Sequence, residues 1–229
     1  MSQSPAGAAL LRVVDVGFAL LLAPIWAPLL FFGAGAAALL QGFPVLYRAE
    51  RLGQNGKIFR MLKLRTMVRG ADRLGPAVST GDDPRITRLG SILRRTKLDE
   101  LPQFLHVLSG RMSIVGPRPE APVYLRHFTP EGLRSLQAKP GITGYGALYF
   151  FSAERNASAA DFESRYIREL LPTKLLLDER CRLDLQSRPF RTTLTLLLLT
   201  MSAVLRRSST RFSPAQLEAR FLGSRSATS

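Results

Sequence analysis

Asp99 and Glu100 are adjacent carboxylates in an otherwise cationic stretch, with Arg94 and Arg95 upstream and Arg111 and Arg118 downstream. Such surroundings favour ionised acids and can also hold phosphates. A carboxylate beside a bound phosphate ester is a candidate nucleophile or metal ligand. Phosphoryl transfer asks for little beyond neutralised phosphate oxygens and a positioned nucleophile. Arg94, Arg118, Lys63 and Arg65 could supply the positive field. Arg118 stands between Pro117 and Pro119 in Gly116-Pro117-Arg118-Pro119, so two prolines hold it in a stiff loop. Rigid presentation reduces the entropy lost when a guanidinium forks onto a phosphate or a base edge.

The acids need an element to aim them. Pro102 has no N–H and suits only the first turn of a helix, so a helix is expected from about Leu98 or Asp99 to Gly110. The acid pair then lies at the helix amino end, where the dipole favours negative charge and where a phosphate or magnesium-phosphate could be held. Helix capping asks for the same residues, and the pair alone does not separate the two. Asp83-Pro84 reads as the start of another helix, with Ile86, Leu89 and Leu93 on its apolar face. Val45 to Tyr47 and Ile58 to Leu64 read as strands, with a tight turn at Gly53-Gln54-Asn55-Gly56. Arg69 to Gly81 reads as a mobile loop, and Pro140 to Gly144 as a rigid turn.

The twenty-five residues from Val16 to Leu40 carry no charge. At about 1.5 Å per residue a helix of that length could cross a bilayer. A cleaved signal peptide is the rival, against which stand the long apolar region and Arg12 as the one cation ahead of it. Pro24 and Pro28 lie four apart and predict a bend near the middle of the run. A straight span, a kinked span and a hairpin re-entering one leaflet all fit hydropathy. Arg48, Arg51, Lys57, Arg60, Lys63 and Arg65 follow the run and put its carboxyl side in the cytoplasm. Leu194 to Leu205 is a second apolar stretch, roughly 18 Å as a helix and too short to span, which fits either the head-group layer or the core. Phe212 to Leu222 reads as a last amphipathic helix, and Gly223 to Ser229 as a disordered tail.

The 229 residues are enough for one domain with appendages. A net charge of +15 and a pI near 11.2 predict polyanionic company: nucleic acid, acidic lipid or a phosphorylated substrate. Cys181 is the single cysteine, which excludes an internal disulfide framework. His106 and His127 lack partners at zinc-like spacing.

Taken in order from about Asp15 to Gly144, the pieces resemble the bacterial sugar transferases, the monotopic phosphoglycosyl transferases that act on polyprenyl phosphate. They are the proline-bent apolar segment, Arg51-x-Gly53-x-x-Gly56-Lys57-x-Phe59, Lys63-x-Arg65-Thr66-Met67 and Asp83-Pro84-Arg85-x-Thr87. Leu98-Asp99-Glu100-Leu101-Pro102-Gln103, Ser113-x-Val115-Gly116-Pro117-Arg118-Pro119 and Pro140-Gly141-Ile142-Thr143-Gly144 follow. The chain departs from the family pattern at Ala27-Pro28, where a Ser-Pro step is usual, and at Arg188-Pro189-Phe190-Arg191, where a Leu-Asp-Leu stretch is common.

The resemblance implies an α-rich α+β fold, with a re-entrant (monotopic) membrane helix-hairpin broken at Pro28 and Pro24. A small cytosolic globular domain with interfacial amphipathic helices completes it. Residues 1–42 would form the membrane segment, 43–210 the catalytic domain and 211–229 a carboxyl-terminal helix and tail. It implies residence on the cytoplasmic face of the bacterial inner membrane. Asp99 would attack the sugar-bearing phosphorus of a UDP-sugar and expel UMP, and polyprenyl (undecaprenyl) phosphate would then take the phosphosugar. Magnesium would bridge Asp99 and the diphosphate, with Glu100 supporting the metal or a proton transfer. Arg118 looks like the nucleotide-binding arginine and Arg94 like a phosphate-binding one. Donor selectivity is expected after Gly144, in a stretch including Tyr145, Tyr149 and Phe150. A homodimer, or association with other glycan-assembly enzymes, is compatible with this reading.

Its rival is a membrane-tethered basic protein that binds nucleic acid or anionic lipid without catalysis. No aromatic-interleaved basic stripe or helix-turn-helix pattern supports nucleic acid, and the acid pair would serve no purpose there. An enzymatically silent partner of a polysaccharide machine is the third class.

Overall fold

The computed structural model describes residues 5–80, 82–154, 162–205 and 214–222. The tail expected to be disordered lies outside the described residues, as does Gly81 of the predicted loop. The fold is mostly helical with two small sheets.

Helices α1 (Pro5–Leu21) and α2 (Ala23–Gln41) meet at Leu22. Pro24 lies in the first turn of α2; it cannot donate to the Leu20 carbonyl and its ring crowds that oxygen, so α1 ends there. The Trp26 indole donates to the Ala19 carbonyl at 2.8 Å and satisfies backbone at the break. The expectation at Pro28 is corrected: Pro28 lies inside α2, which runs on past it with one donor missing. The break sits ahead of Pro24 because a proline disrupts the turn on its amino side.

Both helices press one face on the rest of the molecule and leave the other apolar and open. Arg12 donates to the carbonyls of Val107 and Leu108, and Asp15 accepts from the Ser113 hydroxyl at 2.8 Å and the Ile114 N–H at 2.8 Å. Trp26, Gly33 and Ala37 are buried along α2, and Trp26 stacks on Phe104. Leu20, Leu21, Ile25, Phe31, Leu39 and Leu40 face outward. Among the described residues α2 is the one helix long and apolar enough to cross a bilayer.

Strands β1 (Leu46–Leu52) and β2 (Ile58–Leu64) form an antiparallel hairpin in which Tyr47 opposes Lys63, Ala49 opposes Met61 and Arg51 opposes Phe59. These pairs share one face of the ribbon, since side chains alternate along a strand. Helix α3 spans Arg88–Thr96, later than expected from Asp83-Pro84. The Asp83 carboxylate instead accepts from the Arg85 backbone and guanidinium, closing a turn, and Thr87 caps α3 by accepting from Gly90 at 2.9 Å. Ile86 bridges to Met67 rather than lining a helix.

Helix α4 (Gln103–Leu108) leads to β3 (Ser113–Val115), which pairs in parallel with β4 (Gly141–Thr143). Gly116, Gly141 and Gly144 touch backbone to backbone, and a Cβ on any of them would collide with main chain. Helices α5 (Pro130–Ser135) and α6 (Tyr145–Glu154) pack on α8 (Leu171–Ser187), whose Leu171, Leu175, Leu177 and Cys181 form the centre of the core, and the short α7 (Phe162–Arg165) leads into α8 through Tyr166–Leu170. Helix α9 (Pro189–Leu205) buries Leu196 in the core, while Phe190, Leu194, Leu198 and Met201 are exposed. Helix α10 (Pro214–Leu222) packs on α6 and α8, with Leu217 buried and Phe221 stacked on Tyr145.

Candidate active site

Lys97 ends α3 in the left-handed region (φ 61°), and the chain reverses into a single tight turn, Leu98–Glu100, ahead of α4. The acid pair thus precedes α4, near where the sequence put it, but on a short 3₁₀ turn rather than on a continuous helix. That turn packs against β2 and α3. Gly90 lies so close to the Thr66 backbone that a Cβ would not fit, which seats α3 beside the end of β2.

The two acids have opposite surroundings. Glu100 Oε1 receives Arg118 Nη2 at 2.7 Å and Lys63 Nζ at 3.1 Å. Burial works to raise its carboxyl, but Arg118, Lys63 and Lys97 outweigh burial and hold it well below the usual glutamate range. Asp99 is buried, and its Oδ1 has no hydrogen-bond partner. Burial pushes its carboxyl up, opposed by Lys63 and reinforced by the charge of Glu100. Lys63 is itself pulled down by burial, with Glu100 acting against that. One carboxylate is therefore locked by cations, and its neighbour presents an unfilled acceptor.

Arg118 and Lys63 both reach Glu100 of the pair. Pro117 and Pro119 flank Arg118, whose backbone N–H donates to Asp178 Oδ1 at 3.2 Å, while the Pro117 carbonyl accepts from Gly141. Arg94 leaves α3 toward Thr66 and Ser79 and donates to their hydroxyls at 2.8 Å each rather than to either acid. Arg65 is not brought to the site. Its guanidinium donates to the carbonyls of Gln41 and Gly42 and satisfies the carboxyl end of α2. Tyr145 and Tyr149 are buried core residues and Phe150 packs on Phe162 and Tyr166, so the stretch expected to select the donor is mostly interior. The Lys97 ammonium, just ahead of the acid pair, lies over the Phe151 ring, 4.6 Å from its centroid.

A magnesium ion fits this arrangement in one way. Among the described residues no cluster of three or more His, Cys, Asp or Glu side chains could hold a metal. Glu100 is committed to two cations, which leaves the unpartnered Asp99 oxygen as the protein ligand and substrate phosphates as the rest. Magnesium is commonly held that way, by one or two carboxylates and phosphate oxygens.

Sequence reasoning passed over three contributors. Arg51 shares the hairpin face of Lys63, and the next residue ties β1 to the Arg118 loop through Leu52 N–H to the Glu120 carbonyl at 2.8 Å. Burial lowers the Arg51 guanidinium, with Glu120 opposing and Arg118 adding to the effect. Lys174, Asp178 and Glu120 form a buried ionic cluster behind Arg118. Arg12 and Asp15 tie α1 to α4 and β3. The Lys174 to Asp178 spacing on one helix face was a readable signal; the pairing with Glu120 was not.

The chain is 46% identical over 136 residues to the UDP-glucose:undecaprenyl-phosphate glucose-1-phosphate transferase of Caulobacter vibrioides, covering 58% of this chain and 51% of that protein. It is 38% identical over 166 residues to the protein of the same name from Escherichia coli K12, covering 69% of this chain and 36% of that one. With the exopolysaccharide production protein ExoY of Sinorhizobium fredii it shares 34% identity over 179 residues, 72% of this chain and 79% of the relative. The chain thus spans about half or less of two of these proteins. The family described as bacterial sugar transferase matches residues 7–207, which include both acids, Lys63, Arg94 and Arg118, and the chain belongs to that family.

Proposed function

We propose that the protein transfers a sugar 1-phosphate from a UDP-sugar to undecaprenyl phosphate through a phosphosugar carried on Asp99. The observation that carries this reading is the unpartnered buried oxygen of Asp99 beside a fully engaged Glu100. An unfilled buried acceptor costs about 1–3 kcal/mol, so it is retained where a ligand supplies the missing contact.

An Asp99 oxygen bonds to the sugar-bearing phosphorus as the bond from that phosphorus to the bridging oxygen breaks, and UMP leaves with that oxygen. Next, an oxygen of the acceptor phosphate bonds to the same phosphorus, and the Asp99 carboxylate leaves with its electron pair. Arg118, Lys63 and Arg51 line one side with positive charge and offset charge developing on the phosphoryl oxygens. Glu100 fixes the Arg118 and Lys63 head groups, so they need not reorganise during transfer. Arg94, held by Thr66 and Ser79, adds its charge from the α3 side. Magnesium, when bound by Asp99, would neutralise diphosphate charge.

The relatives' names supply undecaprenyl phosphate as acceptor, which places the work at a membrane. A monotopic seat is supported by the contacts of α1 and α2. Arg12 and Asp15 at one end, Trp26 at the break and Gln41 at the other end all bond or stack on the same globular body. A helix crossing the bilayer would carry its two ends to opposite sides, away from one shared partner. The outward apolar faces of α1, α2 and α9 then lie in one leaflet on the cytoplasmic face, and the acceptor's phosphate arrives beside Asp99 without leaving the lipid.

A panel of UDP-sugars incubated with magnesium and undecaprenyl phosphate tests the reaction by UMP release. UMP from at least one donor, abolished in Asp99→Asn and kept in Arg60→Ala, is expected. Release unaffected by Asp99→Asn contradicts the reading.

A further inference from the structure

The Arg118 loop is held from behind by a charged cluster that makes no contact with Asp99. Lys174, on α8 and 1% exposed in its side chain, bonds Glu120 Oε1 at 2.7 Å and Asp178 Oδ2 at 2.9 Å. The other oxygen of Asp178 accepts the Arg118 N–H at 3.2 Å. Glu120 closes the far side of the same loop, since its carbonyl accepts from Leu52 of β1. Gly146 of α6 leaves no room for a Cβ because Asp178 fills that space, so the carboxylate is confined. At the front of the loop the Arg118 guanidinium reaches Glu100 at 2.7 Å. A single path of bonds thus runs from α8 through Arg118 to the acid pair.

We propose that Asp178, with Lys174 as its counter-ion, is a positioning residue that presets Arg118 for the donor's diphosphate. Buried ion pairs contribute little net stability compared with well-packed apolar residues, so their presence at this loop is not explained by stability alone. The Arg118 backbone has one N–H to offer, and Asp178 fixes the direction in which the side chain leaves the loop. Burial raises Asp178 while Lys174 opposes this, and Lys174 stays protonated because Asp178 and Glu120 outweigh its own burial. This proposal rests on the transferase reading above and adds the residue that sets its nucleotide-binding arginine.

The test uses UDP binding to the full chain in nanodiscs with magnesium, measured by calorimetry for the wild type, Arg118→Ala, Asp178→Asn and the double variant. Loss of a charge-assisted contact is expected to weaken UDP binding about ten-fold in each single variant. The double variant is expected to be no weaker than Arg118→Ala, because both changes remove one interaction. Glu179→Gln, which breaks the buried Arg182 pair on the same helix without touching the loop, should melt lower and bind UDP as the wild type does. Unchanged UDP affinity in Asp178→Asn, or additive losses in the double variant, overturns the proposal while leaving the transferase reading intact. Failure of the wild type to bind any UDP overturns the transferase reading and this proposal with it. If Asp178→Asn does not fold, hydrogen exchange on the wild type decides: an Arg118 amide equally protected with and without UDP is expected, and one that exchanges freely until UDP is added overturns the idea.

Discussion

Two buried charge clusters lie on either side of Arg118, and they are satisfied to different degrees. Behind the loop, Lys174 meets both Glu120 and Asp178, and both Asp178 oxygens are used. In front of it, Glu100 takes two cations while Asp99 keeps a buried oxygen with no partner. In the proposed reading the closed cluster fixes geometry and the open one takes a ligand. Burial alone would not separate them, since Asp99 and Asp178 are both nearly inaccessible.

The sharpest way to break this contrast is to neutralise each acid in turn. Asp99→Asn should lower UMP release by a thousand-fold or more, roughly the scale seen when a nucleophile is lost. The same change should leave the fold intact and raise stability by about 1 kcal/mol at neutral pH, because burial disfavours the ionised carboxylate that it removes. Lys174→Met does the reverse. It strands two buried carboxylates and should destabilise by about 3–5 kcal/mol in urea unfolding, as breaking a buried pair does.

Titration sharpens the contrast further. Folding raises the Asp99 carboxyl above its ordinary 3.8, so its ionisation weakens the fold as pH climbs through the raised value. Glu100 has the opposite sign: it is depressed below 4.5, so its stabilisation is present above that pH and is lost as pH falls through the depressed value. The Asp99→Asn stability gain should accordingly grow from pH 4 to pH 7. Glu100→Gln removes a negative charge that helps raise Asp99, and the acid limb of the UMP-release profile should move to lower pH. The smallest effect is expected at the exposed Arg60–Glu50 pair, 3.9 Å apart, where Arg60→Ala should change stability by less than about 0.5 kcal/mol and activity not at all.

The chemistry was more legible than its support. The acid pair, Lys63 and Arg118 carry their meaning in residue type and local spacing, and the structure brings them together. The apolar run and its prolines announced a broken helix, but the break fell at Leu22, ahead of Pro24, while α2 runs on through Pro28. Arg65 shows the limit of charge counting, since this cation two residues from Lys63 lies just past the end of β2 and its guanidinium turns to the carboxyl end of α2 instead. Asp83-Pro84 has the composition of a helix start, yet Arg85 captured the carboxylate and Thr87 took the capping role. The cluster behind Arg118 joins Glu120 to Lys174 across a long stretch of chain, and no local pattern announces such a pair.

Mass spectrometry of enzyme quenched during turnover with a donor from the UDP-sugar panel tests the central claim most directly. A phosphosugar adduct on the peptide containing Asp99, absent from Asp99→Asn, is the predicted result. An adduct on any other side chain, or turnover at the wild-type rate by Asp99→Asn, would contradict it.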